Sequence, residues 1–196
     1  MAQTAFAVPP GGSRSSGRIA VKVSGKDNAG AFAVLEVLTP PDSDPSLHIH
    51  HIENEWFYVL EGEYDIKVGD QIYHLERGAS AYGPRLIPHT WNCVSATPGR
   101  LPVVAQPAGY LERFAEDLEK LPAVQLRDPA VEKALFEKYE IEIAGPPLPK
   151  KKASKVQRRV ASFTPLISQN PETEAANAHR SKRSPRIYRL GTPKMA

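Results

Sequence analysis

Residues 48–62, HIHHIENEWFYVLEG, set three histidines and three carboxylates beside an aromatic and aliphatic run. An extended chain turns successive side chains to opposite faces, so His48 and His50 share one face and His51 takes the other. In the next run Glu55, Phe57 and Val59 share a face, with Trp56, Tyr58 and Leu60 opposite, and Asn54 falls in the turn between. If Glu55 joins the face of His48 and His50, a carboxylate and two imidazoles meet in one interior. A carboxylate moved into low dielectric needs a partner. A divalent metal ion supplies it.

A third nitrogen has to come from elsewhere, from His74, His89 or His179. His89 follows the Pro-bounded turn of PRLIPHTWN and opens a late strand, which suits an inward direction. His74 in QIYHLERG reads as a satisfied strand residue. His51 is read as a surface or supporting group, and Glu53 and Glu61 as solvated or paired carboxylates at strand ends.

Around this stretch the chain is punctuated by Gly, Pro, Asn and Asp every eight to twelve residues. Short β-branched runs at 19–23, 31–38, 47–51, 55–60, 63–68, 71–75, 80–82, 89–94 and 101–106 predict strands, and their rhythm predicts an all-β sandwich or barrel. After PAGY the period changes. Leu111, Phe114, Ala115 and Leu118 recur at helical spacing, as do Val131, Leu135, Phe136 and Tyr139. Asp128-Pro129 is a helix-start signal. Two short helices are therefore expected outside the β core, and the body is expected to end at GPPLP, residues 145–149.

Charge divides the chain. Residues 1–149 hold thirteen basic against twenty acidic side chains; from Lys150 onward there are twelve Lys/Arg against two Glu. The segment 150–196 is poor in large apolar residues and is expected to be a disordered basic tail, with transient helix around 154–162. Residues 1–18 read as a flexible lead-in and 19–149 as the folded domain. With the single Cys93 no intrachain disulfide can form, and Cys93 is read as a small buried hydrophobe. No run approaches the roughly 18 apolar residues of a membrane span. A cytoplasmic protein is expected, with no membrane partner. The clusters KKKASKVQRR and SKRSPR admit a minority reading as a nuclear address or nucleic-acid contact.

The spacing of His48, His50, Glu55 and Gly62 resembles the first motif of the cupins, HxHxxxxE followed by six residues and Gly. Gly78, Pro84 and His89 resemble the second. Two motif glycines are replaced, by Asp42 and Leu86, and Asn92 comes one residue early. VVAQPAGYLERF and KYEIEIAGPPLP are similar to small single-domain cupins of the quercetin-dioxygenase-like kind. The resemblance implies a double-sheet jelly-roll barrel and one metal ion, iron, manganese, nickel, copper, cobalt or zinc, on His48, His50, Glu55 and His89. It also implies a homodimer.

The function expected on that basis is a mononuclear dioxygenase using O₂ on a small aromatic or enolic substrate such as a flavonol, with Glu55 completing the site or acting as base. Phe57, Tyr82 and Trp91 are the expected pocket residues. The alternatives are a metal-assisted isomerase or decarboxylase, and a non-catalytic ligand-binding cupin whose tail contacts a macromolecule.

Overall fold

The computed structural model describes residues 5–13, 17–122, 124–125 and 128–150. The expectations for the tail beyond Lys150, including helix around 154–162, lie outside the described residues. The strands are β1 (Ile19–Val23), β2 (Ala33–Thr39), β3 (Leu47–His50), β4 (Asn54–Tyr58), β5 (Glu63–Val68), β6 (Gln71–Glu76), β7 (Ser80–Gly83), β8 (His89–Cys93), β9 (Gly99–Gln106) and β10 (Ile141–Gly145). Helices α1 (Tyr110–Lys120) and α2 (Pro129–Lys138) lie between β9 and β10.

Ten strands form two antiparallel five-stranded sheets, in the orders β1-β2-β9-β4-β7 and β10-β3-β8-β5-β6. The expected barrel is corrected to two sheets that are not closed on each other: the pairing in each sheet stops at its edge strands. Alternation decides which side chains meet between them. In β4, Glu55 and Phe57 are buried while Trp56 faces out, and β9 alternates from Gly99 to Ala105 in the same way. Phe57, Leu101 and Val103 from one sheet, with Val59 just after β4, pack in one cluster with Tyr64, Ile66 and Cys93 from the other. Each fully buried side chain of this size contributes about 1.5–3 kcal/mol.

Gly62 shows why the turn after the opening stretch needs glycine. Its φ is 88°, and a Cβ there would stand 3.0 Å from the Cα of Gly99. No other residue combines that backbone with that approach.

Both helices form where the apolar spacing changes. Asp128 caps α2 by accepting from the Ala130 amide at 2.9 Å, with Pro129 at the first turn. The helices build a cluster of their own beside the one between the sheets. Phe114 of α1 meets Phe136 of α2 edge to face, ring centroids 5.1 Å apart, and both join Leu135, Tyr139 and Ile141 in a second cluster. Ala115 packs on Val21, Ala33 and Leu35 of the first sheet. The chain then returns to the second sheet as β10, a strand the sequence reading ended without. Ile141 pairs with His50 and Ile143 with His48.

Candidate metal centre

The second sheet supplies three imidazoles. His48 and His50 point inward from β3, and His89, the first residue of β8, lies directly across from His48. Glu55 arrives from the opposite sheet on β4. All four are buried, His89 completely. One ligand-capable atom from each lies within 4.8 Å of those of the others. The β pleat and the facing of two sheets are sufficient to bring them together.

The backbone orients two of the rings. His48 Nδ1 donates to the Ser46 carbonyl at 2.7 Å and His89 Nδ1 to the Ile87 carbonyl at 3.0 Å. Both assignments leave Nε2 as the inward atom. Glu55 Oε2 stands 2.8 Å from His89 Nε2 and 3.4 Å from His50 Nε2. The His50 and His89 rings are parallel within 3°, with centroids 5.3 Å apart.

Burial and mutual charge pull these groups apart in proton affinity. Burial works to raise Glu55, but the His50 charge and the His89 hydrogen bond outweigh it and hold the carboxyl at about 2. His48 is pushed down to about 3, by burial first and then by the other two histidines. Burial also lowers His50. For His89 burial acts downward, but the Glu55 hydrogen bond prevails and raises it. An ionised carboxylate among three imidazoles, two of them with Nδ1 tied to a carbonyl, is a donor set of three nitrogens and one oxygen. It suits a divalent transition metal.

The cluster opens onto a cavity of about 470 Å³, bordered by His48, His50 and Glu55. Phe57 and Trp91 line it, and the helices add Leu111, Phe114 and Phe136. Phe136 meets the His48 ring edge-on at 5.8 Å, and Phe57 stands 5.8 Å from His89. Tyr82 is not brought to the cavity. It is 57% exposed and pairs with Trp56, which faces outward from β4. The helical wall left no local signal in the sequence near the histidines.

Other ionisable groups of the opening region take separate places. His51 is half exposed and pairs with Glu142 at 3.2 Å. Glu61 pairs with Arg100 at 3.2 Å. His74 Nδ1 bonds Asp65 Oδ1 at 2.8 Å, away from the cluster. Cys93 is buried, with its sulfur 3.1 Å from Ser95 Oγ. Glu53 corrects the expectation of a solvated or paired strand-end carboxylate. It is 1% exposed and accepts from the amides of Tyr110 and Leu111 at 2.9 and 2.8 Å. Burial raises its carboxyl to about 7 against the pull of those two amides. Its parity with Glu55 was the available signal that it turns inward.

Asp42 and Leu86, which replace two motif glycines, both hold left-handed backbone, with φ of 53° and 67°. The turns keep the glycine conformation without the glycine. Leu86 is held by its amide bond to the His50 carbonyl at 2.9 Å. A Cβ in this region costs about 1–2 kcal/mol, partly offset in a Gly variant by greater freedom of the unfolded chain. Leu86 is 59% exposed and loses little packing. Leu86→Gly is therefore expected to raise stability by about 0.5–1 kcal/mol, read as a higher urea midpoint at unchanged slope; an unchanged or lower midpoint counts against strain at this turn.

Residues 34–105 match the family model described as Cupin domain. Among solved structures, the chain is similar to TT1209 from Thermus thermophilus, at 27% identity over 46% of this chain and 84% of that one, with a TM-score of 0.40. It is similar to an RmlC-like cupin from Shewanella frigidimarina, at 21% identity, 49% and 82% coverage and a TM-score of 0.41. A sugar phosphate isomerase from a cupin superfamily, from Silicibacter pomeroyi, aligns at 20% identity, 48% and 67% coverage and a TM-score of 0.39. No curated protein matches the sequence. Among the described residues no helix is long and apolar enough to cross a membrane. Residues 34–105, the stretch that matches the Cupin domain model, hold strands of both antiparallel sheets and the ligand-capable side chains gathered from β3, β4 and β8.

Proposed function

We propose that this domain is a mononuclear metal-dependent dioxygenase for a small, neutral, aromatic or enolic substrate of flavonol type, with His48, His50, His89 and Glu55 holding the ion. The observation that carries the reading is the convergence of the four ligand atoms beside a largely apolar cavity that His48, His50 and Glu55 border. A bound transition metal ion supplies Lewis acidity toward a substrate oxygen and a route for electrons to O₂.

The chain's own groups do the rest. Phe57, Trp91 and Phe136 offer ring faces and edges against which a flat substrate packs and water is excluded. Glu55, held ionised, accepts the hydrogen bond of an enol hydroxyl and so fixes which substrate oxygen faces the cluster. The Ser46 and Ile87 carbonyls keep two imidazoles from rotating as substrate enters. At about 470 Å³ the cavity falls within the usual range for small-molecule sites, roughly 300–1,000 Å³.

Charge at the cavity bears on the alternative of a metal-assisted isomerase or decarboxylase. Its lining has one cationic side chain, Arg18, against Asp44, Glu55, Glu119 and Glu132. With a divalent ion bound the lining still sums to about −1, so a dianionic acid or sugar phosphate finds Arg18 as its one cationic side chain, whereas a neutral ring system needs none. The test is oxygen uptake by protein loaded in turn with iron, manganese, nickel, copper, cobalt or zinc, with quercetin as substrate. The expected result is flavonol-dependent O₂ consumption with at least one metal, abolished by chelation. Stoichiometric metal binding without such uptake, or turnover that persists under nitrogen, overturns the reading.

A further inference from the structure

The turn that joins β3 to β4 holds more than its own two strands. On one side its His50 carbonyl accepts from the Leu86 amide at 2.9 Å, and Asn54 Oδ1 accepts from the Arg85 amide at 3.0 Å. Those contacts fix the loop that ends in His89. The His51 amide donates to the Glu140 carbonyl at 2.9 Å, fixing the junction between α2 and β10.

On the other side Glu53 holds α1. Gly109, the residue at the N-cap of α1, has no side chain and makes no capping bond. Glu53, 57 residues away in sequence from Tyr110, takes that role with both carboxylate oxygens, one on the Tyr110 amide and one on the Leu111 amide. Two hydrogen bonds to the first amides of a helix are a directed attachment, and the helix dipole favours it further when the carboxyl is ionised. Leu111 then places its side chain in the cavity wall, followed along the same helix by Phe114 and Leu118.

The inward face of the segment therefore reads Glu53, Glu55, Phe57: helix anchor, ligand candidate, cavity wall. Only one residue separates the first two. A shift of the β4 backbone that carries Glu55 toward or away from the imidazoles also moves the anchor of α1. The same holds in reverse. Glu53 is 1% exposed, so its carboxylate is enclosed by the surrounding chain.

We infer that Glu53 is a positioning residue that couples occupancy of the His48, His50, Glu55 and His89 cluster to the seating of α1 over the cavity. This rests on the metal-binding reading given above. An ion bound at the cluster fixes Glu55 and, through β4 and Glu53, tightens the first turn of α1. By linkage, a firmly seated α1 strengthens metal binding by the same factor. The cavity is then fully walled only around a loaded site.

The test uses the full-length chain stripped of metal and titrated with Zn²⁺, chosen because it is redox-silent. Zn²⁺ affinity is measured by competition with a chromophoric chelator, and amide exchange over residues 110–120 is followed with and without the ion. In the wild type, Zn²⁺ is expected to slow exchange in α1 severalfold. In Glu53→Gln the ion still binds, about tenfold more weakly, and the metal-dependent slowing in α1 disappears. Glu53→Asp, which keeps the charge but shortens the reach, serves if the Gln variant does not fold, and is expected to lose most of the slowing.

Asp128→Ala, which removes the cap of α2 but does not touch the turn, controls for general loosening. It is expected to speed exchange in α2 and leave Zn²⁺ affinity within twofold of wild type. The coupling is overturned if the Glu53 variants bind Zn²⁺ with wild-type affinity and keep the slowing, or if Asp128→Ala weakens binding as much as they do. Failure of the wild type to bind Zn²⁺ or any other divalent ion overturns the metal reading and the coupling with it. Loss of coupling in a wild-type protein that does bind overturns the coupling alone.

Discussion

His50→Ala is expected to weaken binding of a divalent transition metal by about two to three orders of magnitude, so that the ion is lost on desalting, while His51→Ala retains one ion per chain. The two residues are adjacent and chemically identical, so the contrast isolates direction. His50 is 2% exposed and its Nε2 faces Glu55 Oε2 at 3.4 Å. The His51 side chain stands 41% exposed on the other face, paired with Glu142. Removing one of four ligands forfeits roughly a quarter of a binding free energy of about 10–16 kcal/mol, about 3–4 kcal/mol. That corresponds to a loss of two to three orders of magnitude in affinity. Metal analysis after desalting reads it directly. Equal loss in both variants would refute the inward assignment of His50.

Much of this geometry follows from local rules. The period-2 pattern of LHIH and NEWFY sets the direction of His48, His50, Glu55 and Phe57 before any tertiary contact is known, and the structure has the same directions. Strands Ile19–Val23 and Glu63–Val68 have the bounds the sequence predicts. The features that escaped are non-local. β10 is five residues long and stands directly after a helix; what makes it a strand is pairing with β3, some ninety residues earlier. Parity with Glu55 turns Glu53 inward, but the two amides that α1 brings to it leave no mark in the sequence around it. Phe136 reaches His48 because α2 folds back over the sheet edge, and no spacing between positions 48 and 136 encodes that. Asn54, expected in the turn, opens β4 instead because its backbone finds Gln106 of β9.

The wall of the site is also part of the core, and Phe57→Ala shows how closely the two are joined. Phe57 is 1% exposed, packs with Leu101 and Val103 in its own sheet, Val59 just after β4 and Tyr64 and Ile66 in the other sheet, and stands 5.8 Å from the His89 ring. Truncating a buried Phe to Ala costs about 3–5 kcal/mol, from lost transfer free energy and from the space left behind. Here the space adjoins the cavity of about 470 Å³, so the surrounding side chains cannot close it by a small collapse. The upper part of that range is expected, set against a total stability of about 5–15 kcal/mol for an ordinary domain. Chemical denaturation of the metal-free protein measures it. Phe57→Leu keeps most of the volume and is expected to recover more than half of the loss. Its flat aromatic surface is gone, however, so binding of quercetin to the metal-loaded variant should remain weakened even where stability returns. A Leu variant that restored both would reduce Phe57 to a space-filler, and a loss under about 1 kcal/mol for the Ala variant would contradict its place between the sheets. Separate recovery of stability and of ligand affinity would show that the side chain serves the fold by its volume and the cavity by its ring.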